Sequence, residues 1–388
     1  MAEPGSPIPS VRFCASINEV AEADWDAFCP GSYPFLKHRF LRALEASGCT
    51  SAETGWTPAH LTFWLNGKLA GVAPAWLKSH SMGEYVFDWS WADAYQRYGE
   101  DYYPKLLIAV PFTPCQGPRL LLSDTLRHAL TPAMLENLLD TACETLGAHT
   151  WHLLFPNGDD QQLLDHTRAL HRLGCQFHWH NRGYRAFDDF LAELTSRKRK
   201  SIRKERRQVA ESGVAFLRFN GTGMPDSVLS AFYVFYQATY LKRGQRPYLN
   251  ERFFRQLCRD MPEQLHLVMA IRGDTMIAGA LFLASDDTLY GRYWGCLEEY
   301  DFLHFETCYY QGIELAIDLG LATFDAGAQG EHKLIRGFEP VLTHSWHGVR
   351  HPGFRAAIER FTREEASHVR DYFEDAKDAL PFRQTKTG

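Results

Sequence analysis

Between Thr323 and His347 the chain reads TFDAGAQGEHKLIRGFEPVLTHSWH. Asp325 ends a short apolar run, small residues follow, and Glu331, His332 and Lys333 then stand side by side with Arg336 one helical turn on. An acid, an imidazole and two cations close to a strand end supply proton transfer and anion binding. Glu331 or His332 is the candidate general base: the imidazole has the better ordinary pKa, whereas the carboxylate would need burial. Lys333 and Arg336 suit a phosphate or carboxylate. Asp325 can orient His332 or a substrate amine, and Gln329 and His347 complete the candidate substrate contacts. The same residues would also serve a solvated polar loop held by ion pairs.

A second group lies earlier in the chain: Asp93, Tyr95, Tyr103 and Lys105, with Arg119 after Gly117-Pro118 as a candidate anion clamp. The aromatic members would equally make a packing seam. A third is the run Arg197–Arg207, with eight basic residues in eleven. Lys200, Arg203, Lys204 and Arg207 share one helical face, with Lys198 beside them. Such a face fits a phosphate-rich partner, tRNA or a CoA-type carrier, or plain solvent. A basic stripe around a whole helix repels itself, so part of it should be held by acidic side chains.

The elements that must position these groups are legible in outline. Asn66-Gly67 between two apolar runs marks a hairpin, and Leu265–Ile271 with Met276–Ala284 marks another. Strands are expected at 84–89, 106–111, 119–122, 150–155 and 288–294. Helices are expected at 18–28, 35–47, 132–146, 161–173, 228–240, 251–260, 303–319, 352–361 and 364–373, with one long helix over 187–212. The polar, aromatic segment 91–105 reads as a loop.

Several residue pairs recur about 205 residues apart: Ala70-Gly71 with Ala278-Gly279, Trp89 with Trp294, Tyr102-Tyr103 with Tyr309-Tyr310. The order hairpin, strand, helix, strand recurs with them, which reads as a degenerate internal duplication. The expected division is 11–185, a connecting basic helix 186–213, and 214–375, with flexible tails at 1–10 and 376–388. The fold class is α+β with mixed sheets, and the expected site is a cleft between the two domains.

The 388 residues allow two or three domains. A net charge of -6 excludes a general nucleic-acid coat but leaves room for a local basic patch. Nine scattered cysteines without a CxxC pair suit a reducing cytosol. No signal peptide and no membrane span are expected. The seventeen histidines form no matched ligand set, so no metal is expected.

The motifs Asp88-Trp89-Ser90-Trp91-Ala92-Asp93-Ala94-Tyr95, Tyr102-Tyr103-Pro104-Lys105-Leu106, Val110-Pro111-Phe112-Thr113-Pro114, the basic run at 197–200 and Gly327–Lys333 with Arg336-Gly337-Phe338 carry a resemblance. From about Phe35 to about Glu365 the chain resembles the FemAB-like branch of the GNAT-related N-acyltransferases, and within it the DUF482 group of peptidoglycan biosynthesis/recognition proteins. The resemblance implies two tandem GNAT-like (acyl-CoA N-acyltransferase-like) domains and transfer of an acyl group to the amine of a small molecule, peptide or amino sugar. Acyl-CoA or aminoacyl-tRNA would be the co-substrate, with no tightly bound cofactor. A non-catalytic peptide or glycan recognition protein is the alternative. The chain departs from the family pattern in two places. Glu299-Tyr300-Asp301-Phe302-Leu303-His304 replaces the glycine-rich pyrophosphate loop, and no long coiled-coil arm is present.

Overall fold

The structure, a computed structural model, describes residues 9–328 and 330–383. Its fifteen described strands are β1 Pro9–Cys14, β2 Trp56–Pro58, β3 His60–Leu65, β4 Lys68–Ala73, β5 Ala75–Lys78, β6 Lys105–Ile108, β7 Leu121–Leu122, β8 Thr150–Leu154, β9 Leu170–His180, β10 Val214–Asn220, β11 Leu265–Arg272, β12 Thr275–Ala284, β13 Thr288–Cys296, β14 Thr323–Asp325 and β15 Glu339–Val349. The chain folds into two compact units. The first runs to Gly174 and takes in Leu342–Arg370, while the second comprises Cys175–Val341 and the residues from Asp371 on.

In the first unit, β1-β3-β4-β7 form one sheet, and β15-β8-β6-β5-β2 lie in another. Asn66 and Gly67 both have positive φ, 51° and 76°, as a two-residue turn between right-twisted strands requires. β5 and β6 are antiparallel, and β6 and β8 are parallel. A parallel pair needs a crossover, and the helix Pro132–Thr145 supplies it, started by the Thr131 side chain on Met134 N–H with Pro132 in its first turn. That helix buries Leu135, Leu138 and Leu139 in a core with Leu61, Phe63, Leu106, Ile108 and Trp151.

In the second unit the strand order is β10-β11-β12-β13-β14-β9. The first four strands are antiparallel to their neighbours, whereas β13 and β14 are parallel. Their crossover is the helical stretch Leu303–Asp318, interrupted by a π-helical turn at Glu306–Tyr310. Pairing of β13 with β14 covers only Thr288–Tyr290, after which the two strands part. The core here joins Phe190, Leu191, Phe282, Ile313, Phe324 and Phe338.

Several expectations give way. The long helix at 187–212 is two helices, Phe187–Glu193 and Ser196–Glu211, because Leu194 bridges to Phe382 and breaks the run. The second of these helices is part of the second unit, where it packs on β10, so it does not stand alone as a connector. The 161–173 helix stops at Leu164 and β9 begins at Leu170; Gly174 fits there because a Cβ would meet Thr343 Oγ1 at 2.7 Å. Residues 84–88 are irregular, and Trp89–Arg97 is helical, not loop. The two C-terminal helices are one, Pro352–Asp378, so the expected tail from 376 starts inside a helix. At the other end, Pro9 and Ser10 already belong to β1. Residues 1–8 and 384–388 of those tails lie outside the described residues. No described helix is long and apolar enough to cross a membrane.

Candidate active site

The loop that follows β14 folds around two glycines. Gly330 has φ 112°, and a Cβ on it would lie 2.4 Å from the His332 ring, so the imidazole can pack where it does only over glycine. Residues Glu331–Arg336 then form a 3-10 turn ended by Gly337 at φ 84°. Neighbours on so tight a turn point apart. Glu331 is exposed and accepts from Tyr372 Oη at 3.1 Å. His332 turns inward, with Nε2 2.8 Å from Tyr309 Oη and its ring 5.3 Å from Phe305 and 5.9 Å from His304. Burial lowers the His332 pKa below the ordinary imidazole value, and Arg336 and Lys333 push the same way. His304 is pushed down to about 4, first by burial. Both imidazoles are thus neutral at pH 7, which leaves His332 able to take a proton.

The π-turn explains the neighbours. An extra residue in the helix turns Tyr309 and Tyr310 to different partners, a local geometry common at functional sites. Tyr309 reaches His332. Tyr310 donates to Glu205 Oε2 at 2.5 Å and accepts from Arg336 Nε at 2.9 Å. Arg336 also donates to Glu205 and to the His332 carbonyl, both at 2.8 Å, and lies 3.5 Å over the Phe305 ring. It is buried and fully engaged, so it shapes the turn and is not offered to a substrate anion. Lys333 is likewise buried, donating to Gly327 O at 2.5 Å. Asp325 does not orient His332: it accepts from Gly327 N–H at 2.8 Å and faces His178 Nε2 at 3.6 Å. Gln329 lies outside the described residues.

The second expected group assembles in the first unit, around partners that sequence reasoning missed. Lys105 Nζ donates to Ser81 Oγ and Glu84 Oε2, each at 2.8 Å, and to Asp88 Oδ2. Tyr102 donates to the same Asp88 oxygen at 2.5 Å, and Tyr103 shares a hydrogen bond of 2.7 Å with Ser81. His347 belongs here: its Nδ1 lies 2.6 Å from His152 Nδ1, and the outer nitrogens meet Ser345 Oγ at 2.9 Å and Thr150 Oγ1 at 2.8 Å. Tyr95 is buried while Asp93 is exposed. Arg119 is not an anion clamp: it is fully buried, and its guanidinium donates to the carbonyls of Cys115, Pro118 and Leu154.

This cluster makes the first unit acid-sensitive. Burial drives His152 down to about 3 and His347 well below 6.5, so both favour the fold in the neutral form. Their contribution is present above the unfolded value and lost as pH falls through the folded one. Glu84, raised by burial to about 7, acts oppositely between that value and its ordinary 4.5. Two imidazoles outweigh one carboxyl, so the net loss begins as pH falls below about 6.5 and steepens below 4.5, measured as a falling urea midpoint; a midpoint flat from about pH 6 to pH 3.5 contradicts it.

The basic helix divides as its charge demands. Arg206 donates to Glu306 at 3.0 Å and lies 2.6 Å from Glu314, and Glu205 takes Arg336. Lys200, Arg203, Lys204 and Arg207 remain exposed with Lys198 half-buried, and Arg203 pairs with Asp188 at 2.9 Å. Among the described residues no three His, Cys, Asp or Glu side chains converge as a metal site would need.

A parallel crossover strand pair that parts after Tyr290, a π-turn at Glu306–Tyr310 and the inward-turned His332 imidazole thus stand together in the second unit of this mixed α+β protein. The chain belongs to the FemAB-like family, described as peptidoglycan biosynthesis/recognition, whose model matches residues 16–384. The solved structure of FemX superposes with TM-score 0.52 at 14% identity, covering 88% of this chain and 98% of that one, and establishes the shared fold. L-PGS from Bacillus licheniformis aligns at TM-score 0.49, 10% identity and 85% and 97% coverage. A tandem GNAT protein from the clavulanic acid biosynthesis pathway aligns at 0.46, 8% identity and 89% and 99% coverage. No curated protein matches the chain.

Proposed function

We propose that the chain is an N-acyltransferase, joining an acyl or aminoacyl group to an amine, and that each unit is a GNAT-like module with the reacting site in the second. The observation that carries this reading is the neutral His332 imidazole on Tyr309. With Nε2–H donating to the Tyr309 oxygen, Nδ1 presents a lone pair to the acceptor ammonium. Proton removal gives the amine nucleophile, which attacks the donor carbonyl; as the carbonyl re-forms, the carrier leaves and its sulfur or oxygen takes up the proton released by the attacking nitrogen. Beside it, β13 and β14 part after Tyr290, and the opening between the two strands suits an amide-bearing carrier arm laid along β13. Membership of the FemAB-like family supports a peptidoglycan-related acceptor.

An aminoacyl-tRNA donor is the second reading, favoured by the exposed face of Lys200, Lys204 and Arg207, with Lys198 and Arg203 beside it. The acidic Glu298-Glu299-Tyr300-Asp301 stretch, where a pyrophosphate loop would stand, disfavours a CoA diphosphate there. Thermal shift with deacylated tRNA and with acetyl-CoA separates the donors. Under the tRNA reading, tRNA stabilises, the shift falls steeply with salt, and Lys204→Glu with Arg207→Glu abolishes it. Stabilisation by acetyl-CoA alone, indifferent to those changes, sinks that reading and leaves the acyl-CoA one.

A further inference from the structure

The Lys105 cluster in the first unit is not used by the chemistry above, and it holds four buried polar atoms with no hydrogen-bond partner among the described residues. These are Glu84 Oε1, Asp88 Oδ1, Trp91 Nε1 and Tyr95 Oη. The four residues are 5%, 2%, 3% and 3% exposed. Folded chains rarely leave such groups unmatched, so each calls for a partner.

The four belong to neighbouring side chains. Glu84 and Asp88 share Lys105 through their other oxygens. The Tyr95 ring lies 5.1 Å from Tyr102, whose hydroxyl is bound to Asp88, and Trp91 packs edge-on at 4.9 Å from His347. Two are carboxylate acceptors and two are neutral donors. The chemistry of the surroundings is that of ammonium recognition: Lys105 Nζ lies 5.4 Å from the Tyr102 ring centre, and Lys78, directly opposite Lys105 in the strand register, places its Nζ 3.6 Å over Trp56. Carboxylates and an aromatic face thus already hold one ammonium group of this chain, that of Lys105.

We propose that the first unit binds an amine whose neighbouring carbon bears a carbonyl, as in an amino-acid amide or a peptide N-terminus. Its ammonium lies on Glu84 Oε1 and Asp88 Oδ1, and its carbonyl oxygen receives the Trp91 and Tyr95 donors. A ligand with one group alone would leave half of the unmatched atoms unserved. Ser81, Glu84 and Asp88 all come from segment 79–88, which has no helix or strand and exposes Met82 and Phe87 by 47% and 57%, so this segment is the part that yields on entry. This site is distinct from the one at His332: it takes the amine as a bound ligand, not as the reacting acceptor, and binding needs no donor.

The test is calorimetry and tryptophan fluorescence with three probes: L-alaninamide, isopropylamine without the carbonyl, and N-acetyl-L-alaninamide without the ammonium. Wild-type protein should bind alaninamide at least about tenfold tighter than either other probe. Glu84→Gln should erase the preference over N-acetyl-alaninamide, and Trp91→Phe the preference over isopropylamine. His332→Gln should bind as wild type. Equal affinities for the three probes, no alaninamide binding, or selectivity unchanged in both variants overturns the site; if Glu84→Gln does not fold, Trp91→Phe alone decides. Selective binding without transfer from any donor keeps the site and removes the transferase reading. Transfer with unselective binding does the reverse.

Discussion

Replacing His332 with glutamine should lower kcat/KM by about 10²–10⁴-fold, the usual worth of a positioned general base, with the melting temperature nearly unchanged. Glutamine keeps a hydrogen bond to Tyr309 and removes the titrating nitrogen. Because burial, Arg336 and Lys333 all hold the imidazole below its ordinary pKa, the wild-type rate should fall only as pH drops through that lowered value. The variant should lose this acid limb. Glu331→Ala is the paired control: its carboxylate is exposed and bound to Tyr372, so turnover should stay within about twofold of wild type, a difference of under about 0.5 kcal/mol. A large loss in Glu331→Ala with none in His332→Gln would reverse the assignment.

The second large effect is on stability. Arg336→Met strands Glu205 and Tyr310, both turned inward onto the guanidinium. Removing one partner of a buried ion pair costs about 3–5 kcal/mol. The double variant Arg336→Met with Glu205→Gln should recover much of that loss, because no carboxylate is then left without its cation. Urea titration of the three proteins reads the coupling directly; losses that simply add would mean that the pair is not coupled.

These two predictions also mark what the sequence could and could not convey. The turn Glu331–Arg336 stood out because charged residues beside Gly327 and Gly330 are a local signal. Which of them faces inward was not legible, since that depends on a 3-10 turn and on the π-turn at Glu306–Tyr310, whose sequence looks like ordinary helix. Arg336 and Lys333 looked like ligand cations because nothing local reveals burial against Glu205 or the Gly327 carbonyl. Asp88, Glu84 and His152 were missed for a similar reason: they sit in an irregular segment and a strand, brought to Lys105 and His347 only by long-range pairing. One signal did reach them. The recurring Tyr102-Tyr103 and Tyr309-Tyr310 pairs each lie at the centre of a polar network. The hairpins and crossover helices were readable because turn residues and apolar period are local. The 187–212 helix was overrun because its break is made by Leu194 meeting Phe382 far along the chain.

The proposed function requires that an amide bond form at a site served by His332. The most direct measurement is mass spectrometry of an amine acceptor incubated with purified protein and, separately, acetyl-CoA or charged tRNA. With one donor the acceptor should gain the mass of the donated acid less water, and His332→Gln should form that product at least about a hundredfold more slowly. An acceptor mass unchanged with both donors, or product formed equally fast by the variant, would contradict it.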